Sequence, residues 1–144
     1  MCVFIGEFNH SIDTKGRVIV PSKFREELGK KFIVTKGMDG CLFIYTSQAW
    51  DAYVDKLSHL PTTNANARRF VRLVTAGATE CEPDGNGRIT IPPNLRAFAG
   101  IKKEIVTIGA NDRVEIWDKQ RWDEYNGDGA FDDEMISSME QFGI

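Results

Sequence analysis

The strongest constraint on the fold of this chain is that one pattern is written twice, 71 residues apart. Residues 13–25 read DTKGRVIVPSKFR and residues 84–96 read DGNGRITIPPNLR. Both fit Asp-x-x-Gly-Arg, an alternating apolar run, Pro, then two residues, an apolar residue and Arg. A second stretch, VTKGMDGCLFIYTSQAW at 34–50, aligns with VTIGANDRVEIWDKQRW at 106–122 at a spacing of 72. A repeat this long means two copies of one structural unit, so the fold must be pseudo-symmetric. A site built by one copy should then have an echo in the other.

Local patterns give each copy the order β-turn-β-α-β-β-α. Residues 3–8 are apolar and predict a strand. Asp13 to Gly16 is a turn signal, an Asp able to cap its own turn followed by a Gly able to take positive φ. Arg17-Val18-Ile19-Val20 is β-branched and bounded by Pro21, which predicts a strand. A short helix follows to Leu28. Phe32 to Thr35 and Cys41 to Tyr45 predict strands joined by a hairpin-like loop, and Ser47 is placed to cap the next helix. Copy two predicts strands at Arg88–Ile91, 104–108 and 113–117, then a helix carrying Trp122.

These patterns divide the chain into residues 1–63 as the first half, 64–80 as a connecting helix, 81–125 as the second half and 126–144 as an acidic tail. The connecting helix should run from Asn64 roughly to Thr75, and the tail is expected to be partly ordered at best. Neither set of strands can bury its own face. The two should intertwine into one mostly β barrel or sandwich with short helices at its ends.

Charge is unevenly spread. The net charge of the 144 residues is −3. Residues 1–121 hold all 18 Lys and Arg with 14 acids, a net of +4, whereas 122–144 hold 7 acids and no base. Local patches, not the whole-chain sum, govern the choice of partner. No apolar run is long enough for a transmembrane helix. The N-terminus lacks a basic stretch followed by an apolar one, so no signal peptide is expected. Cys2, Cys41 and Cys81 are scattered and form no CxxC pair, which argues against a zinc ribbon or disulfide framework and for a reducing compartment.

Three constellations could carry chemistry. In the first, Asp13 caps the turn, Gly16 shapes it and Arg17 pairs with Asp13, a purely structural role. Alternatively, Lys15 and Arg17 stand up from the turn to contact phosphates or bases. Copy one carries Lys15 where copy two carries Asn86, so only the first turn offers two cations. On that basis Arg17 is expected to contact a nucleic acid, Arg88 mainly to support the fold, and the two faces need not reach one duplex. In the second, Arg68 and Arg72 share one helical face beside Arg69 and could meet phosphates or acids of another subunit. In the third, Asp13 and Asp84 form a symmetric carboxylate pair resembling a two-fold enzyme, which the adjacent arginines oppose by keeping both acids ionised. His10 and His59 stand alone without metal-ligand spacing. No cofactor or metal is implied.

Taken together, the doubled DxxGRxxxP, the segment Gly40-Cys41-Leu42-Phe43-Ile44-Tyr45, the mid-chain Ala67-Arg68-Arg69-Phe70-Val71-Arg72 and the late Glu115-Ile116-Trp117-Asp118 resemble the bacterial MraZ proteins. The likeness covers residues 4 to 125. It implies a double swapped-hairpin barrel like the AbrB and MazE DNA-binding domains, with both halves in one chain. It also implies a ring-shaped homo-oligomer and a transcriptional regulator, cytoplasmic and nucleoid-associated. Such regulators bind repeated boxes upstream of the division and cell-wall gene cluster that contains their own gene. The DNA-contacting motif of the family falls on Asp13, Lys15, Gly16 and Arg17, with an echo at Asp84, Gly87 and Arg88. A protein-interaction or antitoxin-like module is the alternative reading. No membrane partner and no small-molecule substrate are expected.

Overall fold

The structure, a computed structural model, describes residues 3–144. Copy one runs β1 (Glu7–Ser11), β2 (Arg17–Ile19), α1 (Ser22–Leu28), β3 (Phe32–Lys36), β4 (Leu42–Thr46) and α2 (Ser47–Ser58). Helix α3 (Ala65–Ala76) connects it to copy two, made of β5 (Thr79–Cys81), β6 (Arg88–Thr90), α4 (Pro93–Ala99), β7 (Glu104–Gly109), β8 (Val114–Asp118) and α5 (Lys119–Asn126). A last helix, α6 (Asp133–Glu140), lies in the tail. The expected β-turn-β-α-β-β-α order is present in both copies.

The copies are interleaved rather than stacked. A six-stranded antiparallel sheet has the order β1-β7-β8-β4-β3-β5, and β2 pairs with β6 in a separate two-stranded ribbon. Each copy thus lends its first strand to the other, β1 to β7 and β5 to β3. Two pairings join equivalent residues. The ribbon is centred on Val18↔Ile89, and β4 meets β8 around Phe43↔Glu115. These are the 71- and 72-residue spacings of the repeat, so the pseudo-two-fold axis passes through both points. This is the mostly β arrangement of intertwined copies that the repeat implied, and the double swapped-hairpin form that the family resemblance implied.

Period-two alternation decides where side chains go. In β4, Leu42 and Ile44 face the main core with Val18, Phe24, Ile89 and Ile91, while Phe43 and Tyr45 face a second cluster with Trp117 and Cys41. The central strands therefore bury both faces, which is why β3, β4 and β8 read as continuous apolar runs rather than alternating ones. Helices α2 and α5 cover the outer face through Trp50, Tyr53 and Trp122. At the hairpin tips, Asp39 (φ 65°) and Asn111 (φ 71°) occupy equivalent left-handed positions. Short polar side chains tolerate that conformation, which explains the Asp/Asn match between the copies.

Two local expectations, the extent of the first strand and the cap of α2, need correction. The first strand does not span residues 3–8. Phe4 makes an isolated bridge to Asn111, Gly6 turns the chain at φ 110°, and pairing begins at Glu7. The cap of α2 is Thr46, whose Oγ1 accepts from the Ala49 amide at 3.0 Å, while Ser47 Oγ donates to the Lys31 carbonyl at 3.1 Å. The tail holds α6, whose N-cap Asp132 accepts from the Met135 amide at 2.7 Å. The connecting helix begins after Asn64, which caps it by accepting from the Ala67 amide at 2.9 Å.

Phe24 is 1% exposed and makes edge-on contacts with Phe4 and Phe8 at centroid distances of 6.0 and 5.2 Å. Phe24→Ala should cost about 3–5 kcal/mol, read as a lowered urea midpoint. Phe131→Ala, at a side chain 79% exposed, should leave the midpoint unchanged.

Candidate nucleic-acid interface

The two turns are built by their aspartates. Asp13 Oδ1 accepts from the amides of Lys15 (2.9 Å) and Arg17 (2.8 Å), and its Oδ2 accepts from Arg17 Nε at 2.6 Å. The backbone closes in parallel, with Asp13 donating to the Arg17 carbonyl and Gly16 to that of Asp13. Asp84 repeats every contact with Asn86, Gly87 and Arg88. The Arg17 amide leads in holding the Asp13 carboxyl below its ordinary pKa, helped by the Arg17 side chain, and the Arg88 amide does the same for Asp84. Each acid is committed to its own turn and ionised. The proton-sharing pair that a carboxylate enzyme needs is therefore not built here.

Gly16 and Gly87 have φ near +77° and +75°, which favours glycine strongly. Their missing side chains are used by the opposite copy. A Cβ on Gly16 would lie 2.6 Å from Arg96 Nη1, and one on Gly87 would lie 2.5 Å from Arg25 Cζ. Each closing Arg of the repeat thus lies against the turn of the other copy. Arg25 Nε also donates to the Val20 carbonyl at 2.9 Å, whereas Arg96 Nε is buried with no protein partner. Crossed backbone bonds complete the link, Val20 donating to the Gly87 carbonyl (2.9 Å) and Ile91 to that of Gly16 (2.8 Å). The sequence reading did not single out Arg25 and Arg96, although their presence in both copies was the available signal.

The ribbon sets the geometry of the surface. Val18 and Ile89 point inward, 1% and 3% exposed, so Arg17, Ile19, Arg88 and Thr90 share the outer face. Arg17 stands opposite Thr90 and Arg88 opposite Ile19. Because β2 and β6 pair with each other across the axis, the faces bearing Arg17 and Arg88, expected not necessarily to reach one duplex, are one continuous face. Asp13 engages Nε of Arg17, and Asp84 engages Nε of Arg88, so neither acid holds the terminal nitrogens. Lys15 and Asn86 are exposed at the turn tips. Lys15, Arg17 and Arg88 thus belong to the two turns, and Arg25 and Arg96 lie against them.

Other candidate residues lie elsewhere. Arg68, Arg69 and Arg72 are exposed on α3, and Arg68 Nη1 donates to the Thr62 carbonyl at 2.9 Å. Among the described residues no cluster of His, Cys, Asp or Glu is arranged to hold a metal. His59 Nδ1 lies 2.7 Å from the Asp55 carbonyl oxygen, and His10 Nε2 is buried without a partner. Burial raises the Cys81 thiol pKa to about 11 and pushes that of Cys41 higher still, so both are poor nucleophiles at neutral pH. Cys2 lies outside the described residues. No helix among the described residues is long and apolar enough to cross a membrane.

The aspartates give the turns an acid limit. A carboxyl whose folded pKa is depressed adds stability above its unfolded pKa and loses it as pH falls toward the folded value. The stability that Asp13 and Asp84 supply should be whole above the ordinary aspartate value of about 3.9 and decline below it. Urea melts of the Asp13→Asn/Asp84→Asn double variant should show lower stability at neutral pH. They should also show a weaker loss on acidification than the parent.

The family model described as "MraZ protein, putative antitoxin-like" matches this chain twice, at residues 3–73 and 74–134. A protein of Alkaliphilus metalliredigens named transcriptional regulator MraZ is 54% identical over 143 residues, covering 99% of this chain and 100% of its own length. One of Clostridium acetobutylicum with the same name is 50% identical over 142 residues, covering 99% and 100%. One of Moorella thermoacetica is 55% identical over 123 residues, covering 85% and 86%. These relatives carry the name of a regulator and not of an enzyme. With two matches of the model spanning most of its length and full-length relatives at half identity, the chain belongs to the MraZ family.

Proposed function

We propose that this chain is a sequence-specific DNA-binding transcriptional regulator and that the β2–β6 ribbon is its reading element. The observation that carries this is the shared outer face of Arg17 and Arg88, flanked by Lys15. A two-stranded ribbon fits the major groove, where an Arg can donate twice to guanine O6 and N7. The relatives named transcriptional regulators support the same reading. Asp13 and Asp84 aim the arginines, Gly16 and Gly87 keep the turns tight, and Lys15 adds a phosphate contact that Asn86 does not.

The finer reading follows the resemblance. The sites are repeated boxes upstream of the division and cell-wall gene cluster that includes the chain's own gene. The protein works in the cytoplasm at the nucleoid. A single ribbon carries few cations, and affinity built on so few phosphate contacts is modest and salt-sensitive. A ring-like homo-oligomer spanning several boxes raises it by about 10²–10⁴ through effective concentration.

Gel shifts with DNA from upstream of the gene, at two salt concentrations, test the assignment. Arg17→Ala and Arg88→Ala should each weaken binding by about 1–3 kcal/mol if both arginines read guanine. Lys15→Ala should reduce the slope of log affinity against log salt by about 0.9. All three variants should keep the parent's circular dichroism. Unchanged binding in all three would reject the ribbon as the reader.

A further inference from the structure

Two surfaces outside the ribbon are unpartnered and complementary. The first is an open pocket of about 280 Å³ where α2 ends and α3 begins, with Leu57, Leu60, Pro61 and Val71 as its apolar lining and Arg68 and Arg72 at its side. That volume lies below the usual range for small-molecule sites and suits protein side chains better. The hydrogen bond from Arg68 to Thr62 spans the segment that forms the pocket wall. Helix α3 carries Arg68, Arg69 and Arg72 and no acid.

The second surface is α6. It buries none of its residues, Met135 and Met139 lie four apart on one face with Ile136 beside them, and Phe142 follows in the turn after the helix, its amide donating to the Met139 carbonyl at 3.0 Å. Phe142 is 68% exposed and Phe131 is 79% exposed. Residues 122–144 hold 7 acids and no base. An apolar helix edged only by acids therefore matches an apolar pocket edged by arginines. An exposed apolar stripe of this kind marks an interaction surface, and opposite charges at its rim select the partner and the register.

We propose that α6 of one copy docks into the α2–α3 pocket of a second copy. This rests on the homo-oligomer reading above and deepens it by naming the contact. Ring closure needs a heterologous interface, one patch of each subunit against a different patch of the next. The tail and the pocket are such a pair, one apolar and edged by acids, the other apolar and edged by arginines. Met135, Met139 and Phe142 supply the apolar contacts, and the tail acids face Arg68 and Arg72.

The test uses the full chain with Cys2→Ser, since Cys41 and Cys81 are buried. One version adds Met139→Cys and a second, differently tagged version adds Leu60→Cys, and the two are coexpressed and mildly oxidised. The expected result is a disulfide between the two versions that exceeds either self-linked product, with a several-fold lower yield when the Leu60→Cys chain also carries Arg72→Glu. Light scattering on the same samples separates the outcomes. An oligomer that gives no such disulfide overturns the docking and leaves the homo-oligomer standing. A Leu60→Cys/Met139→Cys chain that links only within itself overturns the second-copy assignment. A monomer at micromolar concentration overturns both.

Discussion

Each half of this barrel is closed by a side chain that belongs to the other half. Arg25 lies on Gly87 and Arg96 on Gly16, and the amides of Val20 and Ile91 bond the carbonyls of those same glycines. The turns must be tight for this contact to exist, and the aspartate carboxylates make them tight. Three donors converge on each carboxylate, two amides and one guanidinium. Removing a turn would therefore loosen its own strand and the opposite helix together. This coupling explains why the whole run from Asp to the closing Arg is doubled, not only its first five residues.

The same contact orients the surface proposed to meet DNA. Because β2 and β6 pair at equivalent residues, inward Val18 and Ile89 force Arg17 and Arg88 outward on one face. The carboxylates then hold Nε of each arginine, fixing the guanidinium plane. Preorganisation of this kind lowers the entropy lost on binding. Structural and functional roles of the Asp-x-x-Gly-Arg turn are thus one arrangement, since the atoms that stabilise the turn also aim the arginine.

Symmetry is broken where the copies meet on the six-stranded sheet. Phe43 stands opposite Glu115, its equivalent. Glu115 is 6% exposed and accepts from Arg113 Nε and Trp117 Nε1, each at 2.9 Å. The Arg113 guanidinium in turn lies 4.3 Å from the centre of the Phe43 ring. A buried acid is tolerated there because it is both paired and hydrogen-bonded, as a buried charge must be. One copy supplies a ring and the other an ion pair, and the two interlock at the axis.

The sequence by itself determined the repeat, the order of elements and the chemistry of each turn, because these depend on residues close together in the chain. Asp caps within four residues, and Gly is required wherever φ is positive. It could not place the caps and first strand well, since Thr46 and Ser47 are both able to cap and Gly6 stops a strand that apolarity alone would start early. Only the tertiary structure decided which strand pairs with which. The ribbon put Arg17 and Arg88 on a common face. It also showed that Arg25 and Arg96 cross to the opposite turn. Those facts depend on contacts between residues about 60 to 80 apart, which period and propensity do not record.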